Sequence, residues 1–310
     1  MIDTSTPTAG GATTRRRRRR DLLPYALIAP IGLLLLAITV YPTIEAVRLA
    51  MTDATLLRLA KAKFTGLQNF VRMMDDQTFL DGLWRTLRWD AAVVSLELAI
   101  GLPIALFLNQ TFRGRGLVRA AVMVPYITPP AVVGLLFIFM FDGNFGIVND
   151  VLVRVGLLDH YVAWLSDPTA SFWVVVFAMV WYGTPLMALI LLATLQTIPA
   201  DLYEAADVDG AGRWSQFVSI TLPHILPSIT FLVLLRTIWM SNHIDMIFVM
   251  TTGGPGFSNY TEAVYSFQLT NQFEIGYASA VAVVLAVILM SASALYVRHL
   301  ARTVLSDSSS

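Results

Sequence analysis

Six long apolar blocks alternate with shorter polar segments along the chain. Each block is close to the roughly 20 residues that a helix needs to cross about 30 Å of hydrocarbon. Because backbone amides in lipid must pair within their own segment, each block is predicted to be a helix. The pattern therefore predicts an all-α, polytopic membrane protein with six transmembrane helices, at Leu22–Ile44, Trp89–Leu108, Val118–Phe141, Phe172–Leu195, Ile225–Thr251 and Tyr277–Leu300.

Prolines inside these blocks predict kinks at Pro30, Pro129, Pro130 and Pro185. Each proline lacks a backbone donor and would kink a soluble helix, but neighbouring helices in a bundle can satisfy the freed carbonyls. Two interpretations stay open: the kinks surround a central cavity, or they only shape the packing.

Composition agrees with a membrane protein. Hydrophobic residues make up 56% of the 310 residues and charged residues 14%, whereas about a quarter of the residues in soluble domains are charged. The chain has no cysteine, which excludes structural disulfides, thiolate metal sites and a catalytic thiol but leaves the compartment open.

The distribution of Lys and Arg predicts the orientation in the membrane. With the amino terminus in the cytoplasm, the outside segment Thr252–Gly276 has neither residue type, and the inside loop Asn109–Leu117 carries only positive charge. We expect a cell-membrane protein with both termini cytoplasmic: a disordered basic tail at 1–21, a transmembrane domain at 22–302 and a tail at 303–310. The inside segments then hold Arg15–Arg20, Arg113, Arg115, Arg119, Arg213, Arg298 and Arg302.

The run Arg15–Arg20 has two other readings. A cleaved export signal is disfavoured, because the apolar block that follows is long and five further blocks come after it. A nucleic-acid patch would need an aromatic or groove-fitting context, which is lacking. A topology anchor fits better, and no nucleic-acid partner is expected.

The predicted inside loop at 199–223 carries an unusual pair of short helices. Asp201 is a candidate N-cap for a helix at Leu202–Val208, and Gly210 is predicted to end it. A second helix is predicted at Arg213–Ile220, after which Pro223 and Pro227 begin the fifth span. The result would be an L of two amphipathic helices at the membrane face.

Such a rigid, partly apolar element can fit a groove in a soluble partner. The alternative is a helix pair lying in the lipid headgroups, where the polar face usually carries Lys and Arg. This loop is acidic instead, with only Arg213 opposing four carboxylates, so a protein contact is favoured; the carboxylates are Asp201, Glu204, Asp207 and Asp209.

The loop resembles the EAA signature of importer-type ABC permeases. It has Glu-Ala-Ala, a Gly four residues after the second Ala, and Ile-x-Leu-Pro after nine further residues. In that family this segment is the coupling helix that docks on the ATPase subunit. The resemblance therefore assigns ATPase coupling to Glu204, Ala205, Ala206, Asp209, Gly210, Ala211, Ile220, Leu222 and Pro223.

The resemblance extends over most of the chain, to permeases of the maltose and glycerol-phosphate uptake branch. Four further segments carry it: VPYITPP at Val124–Pro130, FGIVND at Phe145–Asp150, WYGTP at Trp181–Pro185 and MTTGGPGFSNYTEA at Met250–Ala263. It implies an importer of sugars, either an oligosaccharide or a related polyol or glycerol phosphate. This chain would pair with a second, homologous permease, two cytoplasmic ATPases and an external solute-binding protein.

The same resemblance implies a subunit that is not itself an enzyme and has no cofactor of its own, with ATP and Mg bound by the partner ATPase. Consistent with this, the Gly-rich segment at 252–256 lacks the Lys-Ser/Thr ending of a phosphate-binding loop. The histidines are scattered without metalloprotease spacing, so an intramembrane enzyme is disfavoured.

Polar and aromatic residues in the fourth and fifth blocks are candidates for the solute pathway, because polar side chains at membrane depth usually face a cavity or one another. Similarity to the maltose-type permease assigns Trp181, Tyr182, Gly183, Met240, Asn242 and His243 to this pathway, and Asp245 is added as a polar neighbour. The alternative is that these groups pair among themselves or with Arg236.

Two other function classes compete with the importer. An ion- or proton-coupled secondary carrier would use Arg236, His243 and Asp245 as its relay, but internal repeats are lacking and a carrier needs no acidic cytoplasmic loop. A membrane scaffold without transport would leave the polar groups of the fifth block unexplained.

Overall fold

The computed structural model describes the backbone of residues 23–307 and the side chains of residues 27–298. The chain divides into two compact units, the first ending at Glu45 and the second beginning at Ala46. Over the described range the chain is helical, with one isolated antiparallel bridge between Thr52 and Phe64. The α-helices are α1 (Leu23–Leu35), α2 (Tyr41–Ala50), α3 (Gln68–Asp75), α4 (Gln77–Asn109), α5 (Arg115–Ile127), α6 (Pro130–Met140), α7 (Ile147–Arg154), α8 (Pro168–Leu195), α9 (Ala200–Val208), α10 (Arg213–Gln216), α11 (Leu222–Ser241), α12 (Asp245–Thr251), α13 (Glu262–Asn271) and α14 (Ile275–Asp307).

Five helical stretches in the described range are long and apolar enough to cross a membrane, and the bent pair α5–α6 can supply a sixth span. The predicted all-α, six-span fold is therefore supported. The five stretches are Leu27–Ala50, Gln77–Asn109, Pro168–Leu195, Arg213–Ser241 and Ile275–Arg298. The predicted tail at 1–21 lies outside the described residues, and α14 extends to Asp307, past the predicted boundary at Arg302.

The second span begins well before the predicted Trp89 because Asp76 caps it. The Asp76 carboxylate accepts hydrogen bonds from the amides of Thr78 (2.9 Å) and Phe79 (3.3 Å). Hydroxyl groups of Tyr265 and Tyr277 also donate to it. Burial acts to raise the pKa of Asp76, but these four donors outweigh burial and lower it. A polar stretch ahead of the predicted block is thus part of the same helix.

The third block is broken rather than continuous. Helices α5 and α6 meet at an angle of 91°. Thr128 and Pro129 between them have extended ψ angles of 132° and 136°, as expected for residues that precede a proline. The predicted kink at Pro129 and Pro130 is therefore a full break, whereas Pro185 leaves α8 continuous.

The fifth block differs from its predicted form at both ends. The prediction that Pro223 begins a separate span is wrong, because α10, a π-helical turn at Phe217–Thr221 and α11 form one stretch from Arg213. The π turn changes the carbonyl pairing where Pro223 has no N–H to offer. At the other end the helix stops at Ser241 and resumes only at Asp245.

Helices α4 and α8 form the centre of the second unit, since both contribute to its two apolar clusters. One cluster includes Trp89 and Val93 from α4 and Val175 and Met179 from α8. The other surrounds Ala105 from α4, with Met187, Leu191, Leu192 and Ile225. This pair supports the broken helices that pack beside it.

Candidate functional site

A cavity of about 460 Å³ opens where the fifth span is interrupted between α11 and α12. Irregular backbone at membrane depth is tolerated where it is buried in protein or lines a cavity. The lining comes from five helices and the interruption itself: Tyr126, Pro130, Tyr182, Arg236, Ile238, Trp239, Met240, Asn242, His243, Ile244 and Asp245.

The lining combines aromatic rings with hydrogen-bonding groups. Tyr126 and Tyr182 stack with their ring centres 5.5 Å apart. Asn242 donates from Nδ2 to the Ile238 carbonyl at 2.9 Å. His243 Nε2 accepts from the Met246 amide at 3.4 Å. The cavity thus offers an aromatic surface for the apolar face of a ligand and several polar groups that can form hydrogen bonds around it.

A buried ion pair between α4 and α11 lies at one side of the cavity. The Arg236 guanidinium donates from Nε to Glu97 Oε2 at 2.7 Å, and its Nη2 donates to Glu97 Oε1. Glu97 is fully buried and Arg236 almost so. Two parallel contacts of this kind fix the orientation of both groups.

Gly183 allows this ion pair to form beside α8. A Cβ at Gly183 would overlap the Glu97 carboxylate and the Arg236 guanidinium. Any side chain here would therefore displace one of the two charged groups. Gly183, which was predicted for the solute pathway, does not line the cavity itself, and its missing side chain leaves space for the ion pair beside it.

Five of the residues predicted for the solute pathway line this one cavity: Tyr182, Met240, Asn242, His243 and Asp245. Trp181 does not line it, and instead packs against Phe137 with ring centres 6.0 Å apart. Arg236 forms its ion pair with Glu97 and not with His243 or Asp245. Its Nη2 also donates to Met240 Sδ at 3.7 Å, so one of the pathway residues pairs with Arg236, as the alternative predicted.

Two carboxylates of the second span escaped the sequence prediction. Glu97 pairs with Arg236, and Asp90 accepts a hydrogen bond from Ser241. Trp89 Nε1 reaches the Met240 carbonyl at 3.2 Å. Acidic residues seven apart in an apolar block share one helix face, and that spacing was the available signal.

The second candidate site is the predicted coupling segment, which consists of the short helix α9 and the tight turn that follows it at Gly210. Helix α9 carries Glu204 and Ala205, both exposed, and Ala206, which is half-buried. Gly210 has φ +76°, a left-handed conformation that favours glycine. The Ala211 amide donates back to the Ala206 carbonyl at 2.9 Å, so the turn closes the end of α9.

Details of this loop correct two predictions. Asp201 does not cap α9, because the helix begins at Ala200 after Pro199, and Asp201 lies in its first turn. The second helix of the predicted L, Arg213–Ile220, forms the beginning of the fifth span, so Ile220, Leu222 and Pro223 lie within that continuous stretch.

Contacts inside the loop tie α9 to the fifth span. Gln216 donates to Asp207 Oδ1 at 2.5 Å, and the Tyr203 and Thr221 hydroxyls are 2.9 Å apart. Val208 and Trp214 are 89% and 76% exposed. The loop thus presents a braced element with apolar side chains facing outward.

Comparison with known proteins gives one family over most of the chain. A family model described as "Binding-protein-dependent transport system inner membrane component" matches residues 98–304.

Relatives with transport names match nearly full length. The "Sulfoquinovosyl glycerol transport system permease protein SmoG" of Agrobacterium fabrum is 38% identical, over 89% of this chain and 90% of its own. The "Trehalose/maltose transport system permease protein MalF" of Thermococcus litoralis is 34% identical, over 89% and 92%. The "Trehalose transport system permease protein SugA" of Mycobacterium tuberculosis is 34% identical, over 85% and 83%.

Solved structures agree on the fold. A chain in the crystal structure of a bacterial alginate ABC transporter, in complex with an alginate pentasaccharide-bound periplasmic protein, superposes with a TM-score of 0.77 at 23% identity. The match covers 92% of this chain and 96% of that chain.

Proposed function

The chain belongs to the family of inner membrane components of binding-protein-dependent transport systems, and on that basis we propose that it forms half of the translocation pathway of an ATP-driven sugar importer. One observation carries the sugar assignment: the stacked Tyr126 and Tyr182 share a cavity with an amide, an imidazole and a carboxylate. Sugars bind aromatic faces through their C–H surfaces and amides and carboxylates through their hydroxyl groups. The transport names of the relatives support the same class of solute.

The proposed assembly contains a second homologous permease, two cytoplasmic ATPases that bind ATP and Mg, and an external solute-binding protein. Both termini of this chain lie in the cytoplasm in this arrangement. The segment from α9 to Gly210 docks on one ATPase, with Glu204 and the exposed apolar side chains in contact. Its bracing against the fifth span would carry the ATPase movement to the cavity.

The charges of the cavity favour a neutral sugar. Arg236 is the cationic residue of the lining, and Glu97 behind it offsets that charge. Asp245 is exposed at the start of α12 and contributes a carboxylate with no ion pair among the described side chains. An acidic sugar would meet this carboxylate and be repelled, whereas hydroxyl groups of a neutral sugar can donate to it.

Transport by the purified complex in proteoliposomes, measured in the presence of its own binding protein, tests the proposal. We expect uptake of a neutral oligosaccharide driven by ATP. Asp245→Asn should raise KM about tenfold, the order expected when a hydrogen bond to a charged group is lost. Asp159→Asn, an exposed aspartate outside the cavity lining, is the matched control and should leave KM unchanged.

Two results would contradict the proposal. Transport of uronic oligosaccharides in preference to neutral ones would overturn the charge argument. An unchanged KM in both Asp245→Asn and Asn242→Ala would remove the cavity from the solute pathway.

A further inference from the structure

A cluster of arginines lies where α5 begins and α8 ends. Gln196 directly follows α8, and its carboxamide oxygen accepts from Nη2 of Arg115 and Nη2 of Arg119, each at 2.7 Å, with the amide oriented to suit these donors. Arg113 is exposed and lies two residues before Arg115. This set of Arg113, Arg115 and Arg119 is called the arginine cluster below.

The arginine cluster carries positive charge with no ion-paired carboxylate among the described side chains. None of its members takes part in the ion pairs found among side chains 27–298. Because Arg115 and Arg119 share one neutral oxygen, their guanidiniums lie within about 5 Å of each other and repel. The Nε atoms of both are buried without an acceptor. An anion bridging the two guanidiniums would relieve the repulsion and use donors that are free.

The position of the cluster is at the edge of the hydrocarbon layer. Gln196 follows the last residue of the fourth span, and Arg119 is near the start of the apolar part of α5. Leu117, between the arginines, is 79% exposed. An exposed leucine next to arginines is typical of the boundary between lipid acyl chains and headgroups. The start of α5 has no side-chain cap, so its first amides add to the positive potential.

We propose that the arginine cluster binds the phosphate of an anionic phospholipid, in the leaflet on the side of the coupling segment. Basic pockets between transmembrane helices on the cytoplasmic side suit such headgroups. The depth of the site favours lipid over a soluble partner, because Leu117 would contact an acyl chain. Gln196 is three residues before Pro199, so the bound lipid would hold α5 against the start of the coupling segment.

Native mass spectrometry of the intact complex tests this site, with phosphatidylglycerol and phosphatidylcholine as probes added to lipid-depleted protein. The unchanged complex should retain phosphatidylglycerol and not phosphatidylcholine. The double variant Arg115→Gln/Arg119→Gln should bind phosphatidylglycerol about 30-fold more weakly, from the loss of two cations near the headgroup. Arg154→Gln, an exposed arginine paired with Asp150 instead, is the control and should bind as the unchanged complex does.

A second variant keeps the test decisive if the double variant assembles poorly. Gln196→Ala removes the neutral acceptor and retains both cations, so phosphatidylglycerol affinity should be kept. Equal affinity in the double variant and the unchanged complex would overturn the proposal. Displacement of the lipid by an equal concentration of inorganic phosphate would assign a free-phosphate site instead. Loss of ATPase association without loss of lipid affinity would assign the cluster to a protein contact.

Discussion

Gly183 lies where α8 passes the Glu97–Arg236 ion pair, and the space left by its missing side chain holds that pair in place. Gly183→Ala should destabilise the purified complex by about 1–3 kcal/mol, the usual cost of overpacking a filled interior, and lower its Tm. Gly116→Ala is the matched control, because a Cβ at Gly116 meets nothing within 4 Å. A Tm for Gly183→Ala equal to that of the control would contradict this account.

Removing one partner of the same ion pair should destabilise the complex more than replacing both partners with apolar residues. Glu97→Ala leaves the Arg236 charge buried and unpaired, which costs about 3–5 kcal/mol in comparable sites. The double variant Glu97→Leu/Arg236→Met should recover most of that loss, since apolar groups of similar size need no partner. Thermal unfolding of the three proteins checks the order. A double variant as unstable as Glu97→Ala would show that the two side chains have separate roles.

Glu262 is a buried carboxyl group at the start of α13, and we expect it to make the stability of the complex depend on pH. Its side chain is fully buried and both carboxylate oxygens lack a hydrogen-bond partner. Burial, then the charge of Asp76, raises the pKa of Glu262 to about 8, although Arg85 opposes the shift. The folded state therefore holds this proton more tightly than the unfolded state, whose pKa is near the ordinary 4.5.

The sign of the pH effect follows from that difference. The contribution to stability is full below about pH 4.5 and is lost as the pH rises toward 8. Glu262→Gln cannot ionise, so its Tm should exceed that of the unchanged complex at pH 8 and lie close to it at pH 5. Thermal unfolding at both pH values checks this. An equal Tm difference at the two pH values would mean that Glu262 does not titrate in this range.

At the scale of elements, the turn after α9 decides whether the coupling segment keeps its shape. Gly210 has φ +76°, and a Cβ there would cost about 1–2 kcal/mol in strain. Gly210→Ala should reduce solute-stimulated ATP hydrolysis several-fold without preventing membrane insertion, as should Glu204→Ala by removing a contact. Gly212→Ala is the matched control, since Gly212 has φ −70° and open space around it.

Hydrolysis rate and insertion are measured together for these variants. If solute stimulates ATP hydrolysis equally in Gly210→Ala and Gly212→Ala, the left-handed turn at Gly210 is not needed for docking on the ATPase. If Glu204→Ala fails to insert, the residue has a structural role and the coupling assignment for it is lost.

At the scale of the whole chain, the energy source separates an ATP-driven importer from a proton-coupled carrier. A proton-coupled carrier would use Arg236, His243 and Asp245 as its relay, but Arg236 is paired with Glu97 instead. Uptake should therefore stop when cellular ATP is depleted while the proton gradient is maintained. Measurement of labelled solute uptake under both conditions checks this, and uptake that continues without ATP would favour the carrier.

Sequence patterns predicted the helical, membrane-spanning nature of the chain because the bilayer allows few other structures for a long apolar block. They also predicted a coupling segment, through the resemblance carried by Glu-Ala-Ala and the glycine at 210, and that assignment stays a prediction. The break at Pro129–Pro130 was predicted as a kink because consecutive prolines lack backbone donors. The continuity of Arg213–Ser241 was not, because a π turn accommodates Pro223 only in the folded chain.

The sequence by itself determined which segments can enter the membrane and that the chain bends at Pro129–Pro130, since both depend on neighbouring residues. Only the tertiary structure decided that Glu97 meets Arg236, 139 residues away, that Gly183 makes room for them, and that Tyr126 stacks on Tyr182. These contacts join residues on different helices, and their formation depends on how the helices pack rather than on any local spacing.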